Sequence, residues 1–119
     1  MDILKNKIKK YQKILAAYIQ DLAYEYNTSI GNDVTYQAII DTKANHFQLV
    51  RMGWRQNKSL YAVLIHLDIN AETGNIWVQQ NNTEILLDKD LEIKGIPQKH
   101  FVLGFRLVQM RAFSDYAIA

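Results

Sequence analysis

Cysteine is absent from this chain. Small secreted domains usually rely on disulfides and structural zinc sites usually recruit thiolates, so both classes lose support. No apolar run approaches the ~20 residues that a membrane span requires. The opening Met1-Asp2-Ile3-Leu4-Lys5-Asn6-Lys7 lacks the apolar core of a signal segment. A reducing, cytoplasmic setting without a membrane partner is therefore expected. The five glycines are scattered, which excludes a glycine-rich phosphate loop. Nor does either sign of charge dominate. A formal net charge of +2 is too slight an excess to indicate a duplex binder, which concentrates Lys and Arg on one face.

What is present suits one globular unit. The 119 residues fit a single domain, residues 1–119, with 49% apolar and 22% charged residues. A chain of this size buries roughly 65% of the surface its unfolded form exposes, enough for a core without staples.

The first segment is helical. Leu4, Ile8, Tyr11, Leu15, Tyr18 and Leu22 recur at steps of four and three, and Ile14 and Ile19 widen the stripe. The spacing predicts a helix over about residues 3–26, with Asp2 as N-cap and Asn27-Thr28-Ser29 with Gly31 ending it. A coiled-coil seam is the alternative use of this stripe. From Val34 the period falls to two, predicting strands over 34–41, 46–54, 60–69 and 76–79 joined by short turns. The third is the most apolar and is expected at the centre. Asn81 with Glu84 three residues on fits a capping box for a second helix carrying Leu87 and Leu91, closed by Gly95 and followed by Pro97. Residues 101–105 form a last strand or a buried connector. The expected fold is α+β: a long N-terminal helix on a mainly antiparallel sheet of four to five strands, with a second helix near the C-terminal third.

Few groups suggest catalysis. Ser29, Ser59 and Ser114 carry no activating signature. His66 and Asp68, two apart on one strand, share a face with each other, as His46 does with Gln48 on the strand before. If those strands pair suitably, His46, His66 and Asp68 converge as a two-histidine, one-carboxylate metal site; otherwise these polar tips line a solvated or partner-facing surface. The bland reading carries more weight, so no cofactor is expected. Asp68-Ile69-Asn70-Ala71-Glu72-Thr73-Gly74 misplaces the glycine of a calcium loop and lacks its last glutamate, and reads as a hairpin turn. Lys5, Lys9 and Lys13 fall on one helical face, and with Arg55 form a candidate basic patch for phosphates or an acidic partner. Trp54 and Trp77 are expected in the core or as interface anchors, with burial in the monomer as the default.

Several ordered blocks then carry a resemblance. They are Asp41-Thr42, His46-Phe47-Gln48-Leu49, Gly53-Trp54, His66-Leu67-Asp68-Ile69, Gly74 to Gln80, Thr83-Glu84, Gly95-Ile96-Pro97, Val102-Leu103-Gly104-Phe105 and the ending Tyr116-Ala117-Ile118-Ala119. In that order they resemble the XisI family, controlling factors for excision of the fdxN DNA element in cyanobacteria. The chain departs from that family at Arg106-Leu107-Val108, where members usually show a His-Pro-Pro-like stretch, and at Ser59 and Ala62-Val63. The resemblance implies a non-catalytic accessory role beside a site-specific recombinase and an XisH-like, nuclease-like partner, with no catalytic residues to carry over. The expected contact surface is the sheet face with His46, Gln48, Trp54, His66, Asp68, Trp77, Gln79 and Arg111, and a homodimer or higher homo-oligomer is a further expectation.

Overall fold

The computed structural model describes residues 2–28, 33–112 and 114–119. Helix α1 (Asp2–Asn27) is followed by strands β1 (Val34–Asp41), β2 (His46–Arg55), β3 (Lys58–Ile69) and β4 (Ile76–Asn81). Helix α2 (Leu87–Ile93), a 3-10 turn (Gln98–His100), strand β5 (Phe101–Leu103) and a short helix α3 (Val108–Arg111) complete the chain. One sheet runs in sequence order from β1 to β5. The first four strands form an antiparallel meander, while β5 lies parallel to β4. A parallel neighbour needs a crossover, and α2 supplies it. The α+β expectation holds, with β3 at the centre of five strands.

The helical stripe is spent on the sheet. Tyr11, Leu15, Tyr18, Ile19 and Ala23 are buried against Phe47, Leu49, Ile65, Leu67, Ile69, Ile76 and Val78, the inward set of β2, β3 and β4. Leu87, Leu91, Ile96 and Phe101 extend the same core toward β5. Among the described residues no polar or charged residue is buried as a whole. No helix there is long and apolar enough to cross a membrane.

Local chemistry sets the boundaries. The hydroxyl of Thr28 donates to the carbonyl of Glu25 at 2.8 Å at the end of α1. Beside it, the Asn27 carboxamide donates to the Tyr36 carbonyl and accepts the Tyr36 N–H, both at 2.8 Å. The predicted contribution of Ser29 and Gly31 lies outside the described residues. At the far end of α2, Gly95 has φ 110°. Its N–H donates to Glu92 at 3.0 Å and that of Ile96 to Leu91 at 2.9 Å. This crossed pair is a Schellman ending, with Leu91 and Ile96 in apolar contact range inside the core.

The start of α2 corrects the capping-box expectation. Asn81 accepts from the N–H and hydroxyl of Thr83 at 3.0 and 2.5 Å and donates to the Ile85 carbonyl at 2.9 Å. Its side chain closes a turn, Glu84 takes no part in a cap, and the helix begins only at Leu87, without a side-chain cap. Asn will bind its own local backbone wherever the turn is tighter than a helix entry. The Asn70–Asn75 turn agrees with the hairpin reading. Asn70 accepts the N–H of Glu72 at 2.8 Å, and Gly74 takes φ 75°.

Leu15 is fully buried beneath α1. Leu15→Ala removes most of that side chain and leaves a cavity, so it is expected to lower unfolding free energy by about 2–5 kcal/mol, measured by urea denaturation.

Candidate functional site

Side chains alternate along a strand, so residues that do not face α1 emerge on the opposite sheet face. His46 and Gln48 of β2 emerge there, paired across the ladder with Asp68 and His66 of β3. An irregularity between β3 and β4 leaves Gln79 without a residue directly opposite, because Leu67 pairs with Val78 and His66 with Gln80. Such bulges re-aim side chains. Here the Gln79 amide is brought to Asp68.

The outcome is a closed polar cluster. Asp68 Oδ1 lies 2.7 Å from His46 Nδ1 and 2.8 Å from His66 Nε2. Asp68 Oδ2 accepts from Gln79 Nε2 at 3.1 Å. The second ring nitrogen of His66, Nδ1, lies 3.2 Å from Gln48 Nε2. One carboxylate thus gathers hydrogen bonds from all three central strands. One nitrogen of each histidine and one carboxylate oxygen all lie within 4.8 Å of one another, the convergence that a metal ion would need.

Trp77, directly opposite Asp68, flanks the cluster. The Arg111 guanidinium lies 4.8 Å from the centre of its ring, a cation–π distance. Arg111 also donates to the carbonyls of Leu103 at 3.2 Å and Ile118 at 3.3 Å, tying α3 and the chain end to the sheet. Gly104 closes this corner: a Cβ there would lie 2.6 Å from Gln79 Oε1, 3.1 Å from the Trp77 ring and 3.2 Å from the Val78 carbonyl. Only a residue without a side chain lets the backbone after β5 lie flat on these two groups.

Seven of the eight residues expected on this face therefore assemble. Trp54 does not join them. It pairs with Ser59 near the β2–β3 turn, eight residues along β2 from His46, or roughly 26 Å at ~3.3 Å per residue. It is 64% exposed, which corrects the expectation of burial. Among the described residues no helix covers that end of the face, so the indole stays open to solvent.

The basic patch divides as well. Lys5, Lys9 and Lys13 are exposed on α1. Lys7 donates to the Thr73 carbonyl at 3.1 Å, which places the start of α1 beside the β3–β4 turn. Arg55 opens the β2–β3 turn at the opposite end of the sheet and does not extend the lysine row. Sequence reasoning also missed Ile39 and Tyr61, exposed at 46% and 68% on the open face. The alternation of β1 and β3 was the available signal for them.

The electrostatics follow from this packing. The hydrogen bond to Asp68 raises the pKa of His46, against a smaller desolvation effect and with help from the charges of Asp68 and Asp41. Burial pushes Asp68 upward, but hydrogen bonds from His46, His66 and Gln79 together outweigh it and hold the carboxyl below its ordinary value. His100 moves the other way: burial first, then Lys7 and Lys99, lower its pKa. Its Nδ1 lies 2.6 Å from the Tyr11 hydroxyl, which donates when the ring is neutral.

Comparison with known proteins is decisive at this point. A family model described as "XisI protein" matches residues 5–118. The chain belongs to the XisI family. A solved XisI-like protein from Anabaena variabilis superimposes with a TM-score of 0.83 at 33% identity, covering 94% of this chain and 99% of that one. The fdxN element excision controlling factor XisI from Anabaena variabilis gives a TM-score of 0.77 at 26% identity, covering 95% and 99%. No curated protein matches. The XisI resemblance read from the ordered sequence blocks is thereby shown, and those blocks now have physical settings. His46, His66 and Asp68 meet across a ladder, and Gly104 is the residue that fits against Gln79 and Trp77.

Two outcomes are expected from this geometry. In a proton NMR titration, His46 titrates above and His100 below the ordinary value of about 6.5. The stability contributed by charged His46 is then present below pH ~6.5 and is lost as pH rises through its folded pKa. That of neutral His100 is present above pH ~6.5 and is lost as pH falls through its own. Gly104→Ala crowds Gln79 and Trp77 and should lower stability by about 1–3 kcal/mol in chemical denaturation.

Proposed function

We propose that this XisI-family chain is a non-catalytic regulatory protein that binds a protein partner through the sheet face opposite α1. The observation carrying this reading is the composition of that face: a hydrogen-bonded polar centre at His46, Gln48, His66, Asp68 and Gln79, with exposed Ile39 opposite Gln48 and exposed Trp54 and Tyr61 toward the far end of the same face. Exposed aromatics on the same face as an ordered polar group suit a protein interface. A partner supplies the apolar cover that α1 gives the other face. Family membership suggests its identity, an XisH-like protein or the recombinase machinery, since one solved relative is named a controlling factor for excision of the fdxN element.

The non-catalytic part of the reading has its own support. Ser114 Oγ donates to the Arg111 carbonyl at 2.9 Å, and Ser59 stands across from Trp54. Neither is paired with the His66–Asp68 dyad, so no base–nucleophile couple stands out among the described residues. Direct DNA binding through Lys5, Lys9 and Lys13 has less behind it, because Arg55 lies at the other end of the sheet.

Coexpression with an XisH-like protein tests the reading. A complex that survives nuclease and moderate salt, and that Trp54→Arg and the double variant His66→Ala/Asp68→Ala each weaken at least about tenfold, is the expected result. A complex indifferent to both substitutions would exclude this face. Duplex DNA affinity that falls steeply with salt and with Lys9→Glu would favour the lysine row instead.

A further inference from the structure

We propose that His46, His66 and Asp68 bind one divalent transition-metal ion of the zinc class, with Gln48 and Gln79 as positioning residues. The three donors come from two adjacent strands in direct register, His46 opposite Asp68 and His66 two residues before it. They stand on β2 and β3, the two longest strands of the sheet.

The hydrogen bonds around the cluster are arranged as a metal site requires. Asp68 has two oxygens, and Gln79 engages Oδ2. His66 has two ring nitrogens, and Gln48 engages Nδ1. What remains is Asp68 Oδ1, His66 Nε2 and His46 Nδ1, and these three atoms are the ones that converge. A metal-binding histidine and a metal-binding carboxylate each usually hold such an outer partner, which fixes the ring or the carboxylate against rotation.

The chemistry of the set selects the ion. Two imidazole nitrogens and one carboxylate oxygen suit zinc, cobalt(II), nickel(II) or iron(II), whereas calcium and magnesium take all-oxygen shells. Zinc bonds of about 2.0–2.1 Å place tetrahedral donors about 3.3 Å apart. The two histidine–carboxylate contacts at 2.7 and 2.8 Å must therefore lengthen by roughly 0.5 Å, which small side-chain rotations supply.

In the metal-free chain each of these contacts is bridged by a ring proton. On binding, a neutral His46 shifts its proton to Nε2 and a neutral His66 shifts its own to Nδ1. Gln48 then turns its carboxamide so that Oε1 accepts. A histidine that is charged beforehand releases one proton. His46 is largely exposed, so an ion can enter, and its remaining coordination positions face outward to water or another donor.

Metal binding is measured on the isolated chain, so it and partner capture can fail separately. Untagged protein, stripped with chelator, is titrated with cobalt(II) followed by visible absorption and with zinc by calorimetry. The expected result is one ion per chain, with affinity lowered about 100-fold or more by His66→Ala or by the near-isosteric Asp68→Asn. Gln48→Ala and Gln79→Ala should each cost about 10–100-fold. His100→Ala, in a different part of the molecule, and Trp54→Arg should leave the affinity unchanged. Saturating zinc should also raise the thermal midpoint of the wild-type chain and not that of Asp68→Asn. Absence of binding at millimolar cobalt, or binding that persists unchanged in both His66→Ala and Asp68→Asn, overturns the proposal.

Discussion

A single long helix can cover only one side of a sheet, and most of this molecule follows from that constraint. An α-helix with its side chains is about 10 Å across, while five strands spaced about 4.8 Å apart are close to twice that width. α1 therefore lies over one side of the sheet, nearest β1 and β2, and its Leu15 and Ile19 share one core with Phe47, Leu49, Ile65 and Leu67. The remainder of that side is covered by α2, whose Leu87 and Leu91 extend the core toward β5. Among the described residues no third helix of comparable length remains for the opposite side. That side had to be made acceptable to water or to a partner by its own residues.

The solution is uneven along the strands. At one end, the face is polar and internally satisfied, because Asp68 collects donors from β2, β3 and β4. Beside it, the last residues of the chain provide cover: Ala117 bridges to Val102, and Arg111 lies over Trp77. At the other end Trp54 and Tyr61 are left open. The order of the polar end and the exposure of the aromatic end are two consequences of the same missing layer. Together they give the XisI-family chain one surface with a hydrogen-bonded polar end and an exposed aromatic end.

Much of this was legible in the sequence, for definable reasons. The 3.5-residue recurrence in α1 and the two-residue recurrence in β1 to β4 are imposed by burial, so periodicity recovers those elements and the central place of β3. The His46/Gln48 and His66/Asp68 pairs were legible for the same reason. Other features depend on relations no window can show. Arg111 meets Trp77 across 34 positions of sequence, and Tyr11 meets His100 across 89. The strand irregularity that brings Gln79 to Asp68 has no compositional mark. Asn81 was misread because the same side chain that caps helices also closes turns, and the local backbone decides between them. Trp54 was misjudged because residue type reports how much area is available to bury, not whether a neighbour exists to bury it.

Asn27 has a consequence that reaches beyond one chain. Tyr36 lies on β1, which is hydrogen-bonded on one flank only, so its outward N–H and C=O are open to pairing with any extended peptide. The Asn27 carboxamide takes both, one as acceptor and one as donor, in the geometry a neighbouring backbone would use. A side chain thereby impersonates a sixth strand at this position. An incoming strand would have to evict that amide before it could zip along the edge. At Tyr36 the β1 edge is thus already occupied by the chain's own side chain.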